Sequence, residues 1–220
     1  MGARNIPLVE NPQELAERID LAHCAVLVVD IQNDWCHENG HYAKSGSDVT
    51  ILQNTVPKIA EFLGEARAYH VPIIHIQTVH SNWTDSPPWH ARLKKRNISA
   101  DALLKPGTWG VEFYKIIPQP DDYVVIKHRY SAFVDTDLDL VLRSAGIKTI
   151  IMTGFASNVC VQNTAMHGFM RDYYVALLAD CTATFTVEDH EIAMAYMGKL
   201  SLSITNAKTL LEAWRLVRKE

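Results

Sequence analysis

The chain has 220 residues, 48% of them hydrophobic and 21% charged, the balance of a globular chain able to bury a sizeable core. Its formal net charge of -4 comes without long runs of one sign, which argues against a nucleic-acid footprint or an acidic tail. No run of about 18 apolar residues occurs, so no membrane span is expected, and the N-terminal stretch lacks the apolar region of a signal peptide.

The first apolar run, residues 25–29, is short and rich in β-branched side chains and predicts a buried strand ending at Asp30. Residues 49–69 have helical spacing, and 71–76 form the next strand-like run. The stretch 81–110 holds Pro87, Pro88 and Pro106 together with Trp83, Trp89 and Trp109 and has no clear period. It predicts an irregular excursion, either a lid or a surface insertion. Within it Arg92, Lys94, Lys95 and Arg96 read as a solvated basic face.

Residues 123–126 predict a strand ending at Lys127, then 137–145 a helix closed by Gly146, 148–153 a strand, 161–172 a helix, 174–178 a strand and 186–199 a helix. A weaker sixth strand falls at 200–204. Strand and helix in alternation define an α/β fold, a three-layer α/β/α sandwich around a central, mainly parallel six-stranded sheet with right-handed crossovers. Residues 1–220 read as one domain without internal repeats.

Four cysteines, Cys24, Cys36, Cys160 and Cys181, form no C-x-x-C pair, so they read as reduced thiols of a cytoplasmic protein rather than a zinc or redox motif. In open α/β sheets ligands bind beyond the carboxyl ends of the strands. Asp30 and Lys127 each end a strand, and Cys160 opens a helix after the turn that Gly154 begins. Each alone has a plainer reading: a cap for Asp30, a solvated end for Lys127, a small core residue for Cys160. Together they suit nucleophilic attack on an amide carbonyl. A helix N-terminus and a nearby ammonium favour a thiolate, and a carboxylate can take the thiol proton and return it to a departing amine. Backbone N–H groups of the turn before Cys160 would hold the oxyanion.

These residues resemble the isochorismatase-like cysteine hydrolases, on Leu27-Val-Val-Asp-Ile-Gln-Asn-Asp34, the strand ending at Lys127, Gly154-Phe-Ala-Ser-Asn-Val-Cys-Val161 and Asp180-Cys-Thr-Ala183. The resemblance implies a catalytic triad of Asp30, Lys127 and Cys160, a cis peptide between Phe155 and Ala156, and oxyanion donors at the N–H groups of Ala156 and Cys160. Within that family, Lys105-Pro-Gly-Thr-Trp-Gly110, the stretch from Lys127 to Phe133 and Asn158-Val-Cys-Val161 are most similar to members that cleave ureides such as ureidoacrylate, biuret or triuret.

Gln32, Asn33, Arg129, Tyr130 and Asn158 would supply hydrogen bonds to such a substrate. Nicotinamidases are the alternative; they carry a metal through Asp-x-His where this chain has Thr78-Val79-His80, so neither metal nor cofactor is expected. The implied partners are a small amide substrate and water, with no nucleic acid or membrane. A homodimer or homotetramer is implied as well, with 81–110 able to reach a neighbouring subunit. A binding subunit with a dead site would lack one of the three residues, and a dinucleotide-binding domain would carry Gly-x-Gly-x-x-Gly where Asp30-Ile-Gln-Asn-Asp34 stands.

Overall fold

The computed structural model describes residues 11–95, 103–200 and 202–218. They form a six-stranded, all-parallel sheet in the order β3-β2-β1-β4-β5-β6. The strands are β1 (Cys24–Val29), β2 (Ile73–Thr78), β3 (Tyr123–Lys127), β4 (Thr149–Phe155), β5 (Tyr174–Ala183) and β6 (Ser203–Thr205). The helices are α1 (Pro12–Ala16), α2 (Asn33–Cys36), α3 (His41–Lys44), α4 (Thr50–Ala68), α5 (Pro87–Lys95), α6 (Leu138–Ser144), α7 (Cys160–Phe169), α8 (Val187–Lys199) and α9 (Ala207–Val217).

The central strand explains the layering. Successive strand side chains point to opposite faces. Val26 and Val28 of β1 therefore join Phe62 of α4 and Trp214 of α9 in one core, while Ala25, Leu27 and Val29 join Leu142 of α6, Ala165 of α7 and Met194 of α8 in the other. Both faces are covered, which is why β1 is apolar at every position and reads so clearly in the sequence. Along α4 the buried residues Leu52, Val56, Ile59, Phe62, Leu63 and Ala66 recur at three- and four-residue steps, the stripe that holds it against the sheet.

Three departures from the sequence expectation matter. β2 begins after Pro72, which has no N–H to give a ladder, and runs on to Thr78. β3 is an edge strand that buries Val125 and Lys127 but exposes Tyr123, Val124 and Ile126, so it is half solvated rather than buried. The excursion 81–110 is not wholly irregular: its residues 87–95 are α5, and Trp109–Val111 make one turn of 3-10 helix. Arg96, in the basic cluster, lies outside the described residues.

Candidate active site

Three neighbouring strands end at one rim. Asp30 follows β1, Thr78 ends β2 and Lys127 ends β3, and Thr78 pairs in register with Lys127. On the other side of β1, Val29 pairs with Gly154 of β4. Gly154 has φ +99°, and a Cβ there would lie 2.2 Å from the Val29 carbonyl oxygen. Only glycine lets the strands approach this closely, and that approach brings the turn 156–159, with Cys160 at the start of α7, beside Asp30. The Phe155–Ala156 peptide is cis, at the position the resemblance implies.

Asp30, Lys127 and Cys160 meet. Lys127 Nζ lies 2.8 Å from Asp30 Oδ2 and donates to Cys160 Sγ at 3.3 Å. Cys160 also lies within the electrostatic reach of Asp30. Thr78 completes the network, its hydroxyl donating to Asp30 Oδ1 at 2.8 Å and accepting from Lys127 Nζ at 2.5 Å. Lys127 is fully buried and Asp30 is 1% exposed.

Burial alone would lower the Lys127 ammonium, yet the Asp30 carboxylate and Cys160 beside it hold it above its ordinary value. Burial pushes the Cys160 thiol up to about 12; Lys127 pulls the other way and Asp30 adds to the rise. The expected pull of the ammonium toward thiolate is present, but burial outweighs it. Cys160 is therefore held as a thiol rather than a thiolate.

The site opens into a cavity of about 190 Å³. Arg129, Tyr130, Ala156 and Asn158 line it, as do Asp30, Lys127 and Cys160. Gln32 and Asn33 do not line it, because their side chains are committed elsewhere. The Gln32 amide nitrogen donates to the carbonyls of Thr78 and Val111 at 2.9 and 2.7 Å while its oxygen accepts from the Thr78 N–H at 2.9 Å. Asn33 donates to the Trp109 carbonyl at 2.8 Å. Both fix the loop after β1 rather than face a ligand.

Several lining residues are not among the site residues expected from the sequence. Thr78 has an unremarkable type and shows its role only through the strand order. Trp35, Tyr42 and Phe185 form an aromatic wall, with Tyr42 and Phe185 stacked at 5.0 Å. Trp89 and Arg92 reach the cavity from α5, so Arg92 is not part of a solvated face. His80 also lines the cavity, its Nδ1 2.9 Å from Asp85 Oδ1. Among the described residues no group of three or more His, Cys, Asp or Glu side chains is placed to hold a metal ion, and no helix is long and apolar enough to cross a membrane.

The isochorismatase domain family matches residues 24–215. Ureidoacrylate amidohydrolase RutB from Stutzerimonas stutzeri (strain A1501) is 35% identical over 189 residues, 80% of this chain and 75% of that protein. The crystal structure of a cysteine hydrolase from Pseudomonas syringae pv. phaseolicola 1448A matches with a TM-score of 0.78 and 26% identity, covering 97% of this chain and all of that one (100%). That of N-carbamoylsarcosine amidase from Thermoplasma acidophilum matches with a TM-score of 0.69 and 25% identity, covering 84% and 96%. The chain belongs to the isochorismatase-like cysteine hydrolase superfamily.

Proposed function

We propose that the chain is a cysteine amidohydrolase that cuts a carbon–nitrogen bond in a small ureido or carbamoyl compound, with Cys160 as nucleophile, Asp30 as proton carrier and Lys127 as a fixed cation. The observation that carries this reading is the buried contact of all three groups at the wall of a cavity. The similarity to ureidoacrylate amidohydrolases and to N-carbamoylsarcosine amidase supports the substrate class.

Asp30 takes the thiol proton as Sγ bonds to the substrate carbonyl carbon, so no free thiolate need accumulate. The carbonyl oxygen becomes an oxyanion, held by the N–H groups of Ala156 and Cys160. As the first residue of α7, Cys160 has an N–H without a carbonyl partner inside the helix. When the oxyanion collapses the carbon–nitrogen bond breaks, Asp30 returns the proton to the leaving nitrogen, and a thioester remains. Water then attacks the thioester, giving its proton to Asp30, and sulfur departs to regain that proton. Lys127 stays an ammonium throughout and balances the negative charge as it moves between carboxylate and sulfur. Asn158, Tyr130 and Arg129 orient the substrate.

The test is ammonia release from the purified protein over biuret, triuret, ureidoacrylate, N-carbamoylsarcosine and nicotinamide. Turnover of a ureide is expected. Turnover of nicotinamide alone would replace the substrate class. Silence across the panel, with a thiol-directed probe failing to label Cys160, would sink the reading. Light scattering tests the homodimer or homotetramer that the family implies.

A further inference from the structure

We propose that His80, oriented by Asp85, holds the water that hydrolyses the thioester on Cys160; this rests on the amidohydrolase reading above, which uses neither residue. Val79, one residue past β2, still donates its N–H to the Lys127 carbonyl at 3.0 Å, so the ladder runs on and His80 falls on the same face as Thr78. His80 thus adds to the cavity wall one step beyond the residue that touches both Asp30 and Lys127.

Hydrogen bonding fixes the ring. Asp85 Oδ1 lies 2.9 Å from Nδ1, and Lys105 Nζ lies 3.8 Å from the other carboxylate oxygen. A carboxylate beside an ammonium only accepts, so Nδ1 carries the hydrogen. The Trp89 Nε1–H also points at Nδ1, from 3.2 Å, but a nitrogen that donates cannot accept, and the charged partner is the stronger. Nε2 is then a bare lone pair. Among the described residues it has no hydrogen-bond partner, yet it is not closed off as the unpaired Nδ1 of His75 is, so it faces the cavity. Burial lowers the imidazole below its ordinary value, and the charges of Arg92 and Lys127 add to this while Asp85 opposes it. The ring is neutral.

The cavity offers a water few other acceptors. Asn158 Oδ1 takes the Thr184 hydroxyl at 2.9 Å, the Tyr130 hydroxyl takes Arg92 Nη1 at 2.9 Å, and Asp189 sits exposed in the first turn of α8. Asp30 and His80 Nε2 remain. The proposed oxyanion donors lie in the turn after β4, whereas Asp30 and His80 follow β1 and β2, on the other side of the rim. A thioester carbonyl with its oxygen in that turn therefore presents its carbon to both. A water with one O–H on Asp30 and the other on Nε2 keeps a lone pair for that carbon. Its oxygen bonds to the carbon as one proton passes to Asp30, and the second hydrogen stays on the acid being formed, held by Nε2. The carbon–sulfur bond then breaks and Sγ takes the proton back from Asp30.

p-Nitrophenyl acetate tests this step without the natural substrate. Nitrophenolate release reads acetylation of Cys160, and intact-mass spectrometry reads hydrolysis of the acetyl-enzyme. His80→Asn keeps an amide against Asp85 but has no acceptor at the place of Nε2; His80→Gln carries an acceptor out to it. In His80→Asn the acetyl-enzyme should accumulate, its hydrolysis slowed about 10- to 100-fold and its formation far less, and His80→Gln should recover part of the loss. A merely loosened site would slow both steps together. That result, hydrolysis at the wild-type rate in His80→Asn, or no gain in His80→Gln, overturns the water role while leaving Cys160 as nucleophile. If Cys160 of the wild type takes no acetyl group, the thioester itself is lost, and the amidohydrolase reading falls together with the water role.

Discussion

Lys127 and Asp30 form an ion pair across an intervening strand: β2 lies between β1 and β3, yet Nζ and Oδ2 are 2.8 Å apart. The bridge passes over Thr78, the last residue of β2, whose hydroxyl touches both partners. A neutral residue thus sets the spacing of the two charges. Thr78→Val keeps the shape but removes both hydrogen bonds. We expect it to fold and to lose activity by roughly 10- to 100-fold, the cost of leaving a buried charged group short of a partner. Steady-state ammonia release beside a circular dichroism melt checks this, and full activity would reduce Thr78 to packing.

Cys160→Ser keeps the shape of the nucleophile but replaces a thiol with a hydroxyl far harder to ionise. Turnover should fall on the order of 10⁴-fold or more while substrate still binds. Near-normal turnover would point to another nucleophile.

Asp30→Asn separates a base from a mere cap. Burial first, then the charge of Asp30, raises the Cys160 thiol, while Lys127 lowers it. Removing the Asp30 charge while Lys127 remains should make the thiol more acidic. Alkylation of Cys160 by iodoacetamide at pH 7.5, followed by peptide mass mapping, should therefore speed up even as ammonia release falls by roughly 10²- to 10⁴-fold, the usual contribution of a general base. Slower alkylation, or retained turnover, contradicts the assignment.

Stability should weaken in mild acid. Burial is the main cause that lowers the imidazoles of His75, His80 and His190 below the ordinary value of 6.5. A base lowered in the folded state binds protons preferentially when unfolded, so its stabilising contribution is complete above 6.5 and is lost as pH falls from there toward the folded value. The melting temperature should drop between pH 7 and pH 5, and a flat profile over that range would contradict the buried, neutral assignment of these rings.

Gly154→Ala tests how the rim is assembled. With φ +99° and the Val29 carbonyl oxygen 2.2 Å from the added Cβ, the variant must separate β1 from β4. We expect a loss of about 3 kcal/mol in chemical denaturation, at the upper end for overpacking. Gly46→Ala shares the positive φ but meets nothing within 4 Å, so it isolates the backbone effect.

Asp30, Lys127 and Cys160 are legible in the sequence because each ends or begins an element at the same edge of the sheet, where chain order alone brings polar side chains together. Thr78 has no such signature: it is visible only once β2 is known to extend past Ile76 and to lie between the other two strands. Helix α5 is obscured because it opens on Pro87 and Pro88 and buries only Leu93, so it carries little apolar period. Gln32 and Asn33 have the residue types of ligand contacts, but amides also suit the work of tying a loop to backbone carbonyls, and here that need prevails. The helix α9 is written plainly, with an Asn206 cap and the stripe Leu210, Ala213 and Trp214, yet an alternation read only as far as 204 stops before it.

The four residues of β3 before Lys127 read Tyr-Val-Val-Ile, apolar on both faces. Hydrophobicity alone would allow this edge strand to dock one position out of step, burying Ile126 in place of Lys127, since a single-residue slip exchanges the two faces. What distinguishes the two alignments is the ammonium, which finds Asp30 in one and water in the other. The carboxylate of β1 therefore acts as an alignment key for a strand two places away. A chain assembled in the wrong notch would retain most of its apolar burial and its helical signal but have no working centre, so catalysis becomes the most sensitive gauge of whether this edge has been built correctly.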